Sequence, residues 1–209
     1  MILALASGAG VGADFKLPLE LRPNNGKDGM KYISNGVPLE VGAAMNTEQL
    51  HVLGPDGKEV PAQFRILARW WRQDNSIRWV LADFIRSETE QPKPTYTLVV
   101  RKAPAARPET ALTVKQDAKM IRIDTGAAQF EIDRKNFNLL NRVVVDGKTF
   151  VHPDESLGSV TEDPAGRKYY SSKGTREVKV IDQGPVRVTV MAKGEHRSDE
   201  EGASDKGLY

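Results

Sequence analysis

The sequence predicts an all-β protein, and two of its features carry this prediction. Short runs alternate apolar and polar residues, as strands with one buried face do. Proline, glycine, asparagine and aspartate interrupt these runs at intervals of about 8–12 residues, the spacing typical of sandwiches and barrels. No stretch keeps a helical period over three turns. With 209 residues, the chain can form one large β domain or two smaller ones.

The first 13 residues are small and apolar and resemble the end of a signal peptide, with Val11, Gly12 and Ala13 before the cleavage point. The alternative is a disordered leader rich in glycine and alanine, since the segment has no positively charged start. It is too short to span a bilayer, which takes about 20 apolar residues. We therefore expect a secreted or periplasmic protein with no membrane partner.

Residues 14–102 form the first predicted domain, built around a hairpin. Side chains two apart on a strand share a face, so alternation places Trp79 in the core with Ile77 and Leu81. The segment 23–42 is rich in turn residues and is predicted as a connection. The strands of this domain are predicted at residues 15–22, 50–53, 62–71, 76–84 and 95–101.

A segment rich in proline and alanine, Lys102–Ala111, is predicted as a linker between two domains. The second domain covers residues 111–209, and a long charged loop is predicted at 152–175. Its strands are predicted at residues 120–124, 127–133, 140–146, 148–151, 177–181 and 186–193.

The last predicted strand is followed by a polar segment that begins at Gly194, which we expect to be a flexible tail. A strand rarely ends a domain while its neighbours are missing. We therefore expect the second domain to be truncated, with its remaining strands in a C-terminal part of a longer protein.

Composition excludes several classes of function. The net charge is +2, from 30 basic and 28 acidic residues, which gives no clustered positive surface for nucleic acid. Cysteine is absent, and the three histidines have no metal-type spacing, so no metal site is predicted. No phosphate-binding loop and no Gly-x-Ser-x-Gly elbow is present. The sequence therefore names no catalytic residue and leaves any cofactor unknown.

Trp71 is the candidate binding residue. It follows Trp70 directly, so the two side chains of a strand would point to opposite faces, with Trp71 on the face of Arg65 and Arg69. An exposed indole beside guanidinium groups can stack on a sugar ring, and Trp71, Arg69 and Arg65 are predicted to bind substrate. The alternative is that Trp71 packs under the next domain, since large aromatic residues favour burial.

The sequence resembles a known family in both domains. In the first, Gly36-Val37-Pro38 precedes Gln63, Trp70, Ser76-Ile77-Arg78-Trp79 and Asp83-Phe84 in an order that is similar to the N-terminal domain of the exo-rhamnogalacturonan-lyase-like family. In the second, residues 123–133 and 182–196 resemble the central domain of the same family. The resemblance implies a RIFT-type β-barrel followed by a β-sandwich. It also implies an α/α toroid after the sandwich that carries the lyase chemistry.

The resemblance therefore implies a non-catalytic N-terminal portion of an exported polysaccharide-degrading enzyme. Its expected partners are a uronate-containing polysaccharide, such as a pectic one, and the missing C-terminal domain. By itself the chain is expected to be inactive, because its residues supply no base, neutralising cation and acid that can be placed together. The alternatives are a stand-alone carbohydrate-binding or interaction module and a part of a glycoside hydrolase.

Overall fold

The computed structural model describes residues 15–20, 32–86, 95–101 and 109–203. Every regular element among them is a β-strand or a single turn of 3₁₀ helix, so the predicted all-β class is confirmed. No helix in the described ranges is long and apolar enough to cross a membrane. The chain divides into two units, Met1–Thr110 and Ala111–Tyr209. The predicted leader at 1–13 and most of the predicted linker, residues 102–108, lie outside the described residues.

The first unit contains two antiparallel sheets. One has the strand order β1-β7-β3-β4 and the other β2-β6-β5. Its strands are β1 (Lys16–Glu20), β2 (Tyr32–Pro38), β3 (Leu50–Leu53), β4 (Glu59–Val60), β5 (Ala62–Arg69), β6 (Ile77–Ile85) and β7 (Thr95–Val100).

The two sheets of the first unit enclose one core. Alternation buries Leu17 and Leu19 of β1, which pair with Leu98 and Tyr96 of β7. The centroid of the Tyr96 ring lies 4.9 Å from that of the Phe84 ring, and Phe84 belongs to β6 in the other sheet. Both side chains are fully buried, so the aromatic pair joins the two sheets across the core.

The prediction that Trp79 belongs to the core is wrong. Trp79 is 40% exposed, whereas Ile77 is fully buried. The register of β5 and β6 shifts twice, once on each side of the pair Ala68–Trp79, so that one strand and then the other carries an extra residue. A bulge of this kind reverses which face the following side chains occupy. Trp79 therefore lies on the outer face of its sheet.

The same hairpin ends earlier than predicted. Strand β5 stops at Arg69, and Trp71 begins the turn at 71–74 instead of ending the strand. The segment 23–42, predicted as a connection, contains strand β2, whose residue Val37 is buried in the core. Residues 21–31 lie outside the described ranges.

The second unit contains a five-stranded antiparallel sheet, with the order β12-β11-β10-β9-β8, and two hairpins. One hairpin is β13–β14 and the other is β15–β16. Its strands are β8 (Thr113–Gln116), β9 (Met120–Asp124), β10 (Ala128–Asp133), β11 (Arg142–Val145), β12 (Lys148–Val151), β13 (Val160–Glu162), β14 (Lys168–Tyr170), β15 (Thr175–Gln183) and β16 (Val188–Gly194).

The core of the second unit lies between the five-stranded sheet and the hairpin β15–β16. Ile121 and Ile132, which pair across β9 and β10, are buried with Val178 of β15. Val190 and Ala192 of β16 pack against this cluster, as the alternation predicted for one face of the last strand. Two β layers around one apolar cluster agree with the predicted sandwich.

Two further expectations for this unit are wrong. The predicted loop at 152–175 contains the strands β13 and β14. The polar segment after Gly194 is not a free tail at its start, because Arg197 pairs with Tyr170 and Glu195 is only 3% exposed. The arginines Arg176 and Arg197 form ion pairs with the Glu195 carboxylate and allow its burial.

Candidate functional site

The candidate site is the tryptophan turn, residues 70–76, which joins β5 to β6. The Trp70 amide donates to the Ser76 carbonyl at 2.9 Å, and the Asn75 amide donates to the Trp70 carbonyl at 3.0 Å. Asn75 has a φ of 59°, a left-handed conformation that asparagine tolerates better than most residues. The backbone of the turn is therefore closed by its own hydrogen bonds.

Asp74 holds the inside of the turn. One oxygen of its carboxylate, Oδ1, accepts from the Ser76 hydroxyl at 2.6 Å and from the Ser76 amide at 2.9 Å. These hydrogen bonds from Ser76 lower the pKa of the Asp74 carboxyl below its usual value, because they favour the charged form. The Ser76 hydroxyl oxygen in turn accepts from the Gly42 amide at 2.9 Å and fixes the turn to the preceding loop.

Two further side chains attach the turn to residues 39–46. Nη1 of Arg69 donates to the Met45 carbonyl at 3.0 Å and to the Asn75 carbonyl at 2.8 Å. The indole nitrogen of Trp70 donates to the Leu39 carbonyl at 3.0 Å. Arg69 and Trp70 thus position the turn.

Trp71 projects from this rigid support. It is 71% exposed, the largest exposed fraction among the large apolar side chains in the described ranges. The Arg72 guanidinium lies 4.6 Å from the centroid of the Trp71 ring, and the Arg78 guanidinium lies 4.7 Å from that of Trp70. Both are within cation–π range. A cavity of about 230 Å³ beside the turn is lined by Arg69, Trp70, Trp71, Arg72, Gln73 and Arg78.

The structure brings together two of the three predicted binding residues. Trp71 and Arg69 both line the cavity, whereas Arg65 is an exposed residue of β5 and does not line it. The reason is that Trp71 leaves the strand, so the predicted shared face of Arg65, Arg69 and Trp71 does not form. Sequence reasoning missed Arg72, which lies in the turn beside Trp71.

Arg78 was missed as well. Its place in the sequence SIRW indicated a paired strand residue, and the bulge that brings it beside the Trp70 ring has no signal in the apolar pattern. The cavity lining is made of arginine, tryptophan and glutamine only. None of these side chains is a base or a nucleophile near neutral pH, so the surface is suited to binding and offers no acid–base chemistry.

A metal site is not formed by the described residues, in which no three histidine, aspartate or glutamate side chains cluster around a possible ion. The positive charge of the tryptophan turn and its surroundings comes from the guanidinium groups of Arg69, Arg72 and Arg78. These groups remain charged at all physiological pH values and match carboxylates in geometry.

Comparison with known proteins assigns a domain family to most of the first unit. No curated protein matches the chain. Residues 21–101 match the family model of the PcRGLX-like N-terminal RIFT barrel domain, which confirms for this unit the resemblance and the barrel type that the resemblance implied.

Proposed function

We propose that this chain is a non-catalytic part of an exported polysaccharide-degrading protein and that the tryptophan turn binds an acidic polysaccharide. The match of residues 21–101 to a domain named for rhamnogalacturonan-lyase-like proteins supports the first part. The observation that carries the second part is the exposure of Trp71, 71% of whose surface is accessible on a turn that hydrogen bonds hold in place.

An indole held in this way is prepared for stacking. A flat apolar ring covers one face of a pyranose, and little conformational entropy is lost on binding because the turn is already ordered. An exposed tryptophan of purely structural origin would be expected to cover neighbouring apolar side chains, whereas four of the five side chains that line the cavity with Trp71 are arginine or glutamine.

The charge of the turn favours uronates over neutral sugars. Arg72 and Arg78 lie on the two indole rings, and the Asp74 carboxylate is engaged by Ser76 inside the turn. A carboxylate on a sugar stacked at Trp71 would meet guanidinium groups, which bind carboxylates by charge-assisted hydrogen bonds. Export and the assembly with a C-terminal catalytic domain belong to the same proposal and follow from the resemblance.

The test is affinity electrophoresis in gels that contain either polygalacturonate or neutral dextran. The chain should be retarded by polygalacturonate, and Trp71→Ala should weaken this retardation about tenfold, as loss of a stacked aromatic contact does. Arg72→Ala should weaken binding to polygalacturonate more than any binding to dextran.

Trp79→Ala is the matched control, because Trp79 is also exposed but lies on the outer face of the β2-β6-β5 sheet. It should bind polygalacturonate as the unmodified chain does. Unchanged retardation of Trp71→Ala, or equal loss in both tryptophan variants, would show that the tryptophan turn is not the binding surface.

A further inference from the structure

The second unit contains a small cavity that is separate from the tryptophan turn. Its volume is about 190 Å³, and it is lined by Phe137, Ser159, Ser171, Thr175 and the stretch 192–196. Sites for drug-sized ligands measure roughly 300–1,000 Å³, so this cavity has room for a ligand of about one sugar ring.

The floor of the cavity is fixed by close backbone contact. A Cβ atom on Gly174 would lie 2.0 Å from the Glu195 carbonyl oxygen, and one on Gly194 would lie 2.5 Å from the Gly174 carbonyl oxygen. Only glycine fits at either position. The Glu195 amide donates to the Gly174 carbonyl at 3.0 Å, which holds the segment after β16 against the start of β15.

Two hydroxyl groups in the wall donate their hydrogens to the protein backbone. The Ser171 hydroxyl donates to the Phe137 carbonyl at 2.9 Å and accepts from the Ser159 amide at 3.1 Å. The Thr175 hydroxyl donates to the Ser171 carbonyl at 3.1 Å and accepts from the Phe137 amide at 2.8 Å. Each has donated its single hydrogen, so these groups serve the fold.

Ser159 and His196 differ from this pair. Nε2 of His196 lies 3.1 Å from Oγ of Ser159. If the imidazole donates this hydrogen bond, the serine hydrogen and the lone pair of Nδ1 remain available to a ligand. If the serine donates it, the Nδ1 hydrogen and the remaining serine lone pair are available instead. In both cases the pair keeps one donor and one acceptor.

A serine beside a histidine also has the composition of a nucleophile and its base. In the described part of the chain, however, the only hydrogen bond of the His196 side chain is the one between Nε2 and Ser159, so no partner on Nδ1 orients the imidazole, as the base of such a pair requires. The arrangement therefore fits binding better than hydrolysis. A hydroxylated ring satisfies an open donor and an open acceptor with adjacent hydroxyl groups, while its C–H face packs on the apolar Phe137 and Ala192.

We propose that this cavity binds a single sugar ring through Ser159 and His196. The proposal does not depend on the tryptophan turn, because it concerns the other unit. It also gives a role to the histidine that the sequence placed in a flexible tail. The wall serine and threonine hold the site, and Ser159 and His196 contact the ligand.

The experiment follows the imidazole signals of the three histidines by NMR while galactose, rhamnose or galacturonate is added to the chain. At least one of these sugars should shift the His196 signal in a saturable way and leave those of His51 and His152 in place. His196→Gln identifies the signal. Ser159→Ala should weaken binding roughly fivefold to tenfold, the effect of one lost hydrogen bond.

Three controls make the result specific. Ser172→Ala removes a neighbouring hydroxyl that does not line the cavity, and Trp79→Ala alters only the outer face of a sheet in the first unit, so both should shift the His196 signal with the affinity of the unmodified chain. Cyclohexanol offers a ring with a single hydroxyl and should bind more weakly than the sugar. The proposal is overturned by the absence of a saturable His196 shift with all three sugars, by cyclohexanol binding equally well, or by unchanged affinity in a folded Ser159→Ala variant.

Discussion

Trp79 lies on the outer face of β6, where its indole packs against its neighbours only partly. A Cβ atom on Gly36 of the adjacent strand would lie 3.7 Å from the indole and 3.9 Å from the Leu67 side chain, so both side chains cover this glycine. The indole keeps 40% of its surface exposed, and Leu67 keeps 48%. Trp79 thus contributes a surface contact between strands.

Truncation of Trp79 should therefore cost less than truncation of a core aromatic residue. We expect Trp79→Ala to lower the free energy of unfolding by about 1–2 kcal/mol, against about 3–5 kcal/mol for Phe84→Ala, whose ring is fully buried against Tyr96. Urea unfolding of both variants gives the comparison. Equal losses in the two variants would place Trp79 in the core after all.

Residue faces were predictable from the sequence where the strands are regular. Leu17 and Leu19 are buried, and Arg65 is exposed, as period-two alternation requires. The period failed at Trp79, because the register shifts around Ala68 depend on how two strands pair and not on either strand alone. The prediction that Trp71 shares a strand face with Arg65 and Arg69 was wrong for a related reason, because β5 ends at Arg69 and Trp71 lies in the turn.

At the scale of the element, the tryptophan turn gains stability from a charged carboxylate. The hydrogen bonds of Ser76 lower the pKa of Asp74 in the folded chain below its unfolded value. A group with a lowered folded pKa stabilises the fold above the unfolded pKa, about 4 for aspartate, and this contribution is lost as the pH falls through the folded value.

We expect Asp74→Asn to melt at a lower temperature than the unmodified chain at pH 7. This gap in melting temperature between the two chains should narrow steadily below about pH 4. Thermal unfolding at a series of pH values provides the measurement. In a Ser76→Ala background, which lacks the hydroxyl that holds the carboxylate, the gap and its pH dependence should both be smaller. A gap that stays constant down to pH 2 would show that the charge of Asp74 is not what stabilises the turn.

Some strands were predicted to the residue, whereas others were missed. Strands β9 and β12 were predicted with their observed bounds, and each is bordered by turn residues that mark its end. Strands β4, β13 and β14 have two or three residues each, too few for a period to appear. The pairing of Tyr170 with Arg197 brings together residues far apart in sequence, and the cavity at the adjacent His196 was not indicated by the sequence.

At the scale of the whole molecule, the two units have cores of very different size. In the described residues, the cluster of the first unit contains sixteen buried apolar side chains, including Phe84 and Tyr96. That of the second unit contains three, Ile121, Ile132 and Val178, with partly buried neighbours. Because burial of apolar surface is the main favourable term in folding, the second unit should be the less stable one.

This difference predicts that the second unit unfolds at a lower temperature than the first. All three tryptophans, Trp70, Trp71 and Trp79, belong to the first unit, so tryptophan fluorescence reports on that unit alone. Far-ultraviolet circular dichroism reports on the strands of both. On heating, the dichroism signal should begin to change before the fluorescence does. Ile121→Ala should lower the midpoint temperature of only the first of the two transitions. Coincident transitions in the two signals, with Ile121→Ala shifting both together, would mean that the units unfold as one cooperative structure.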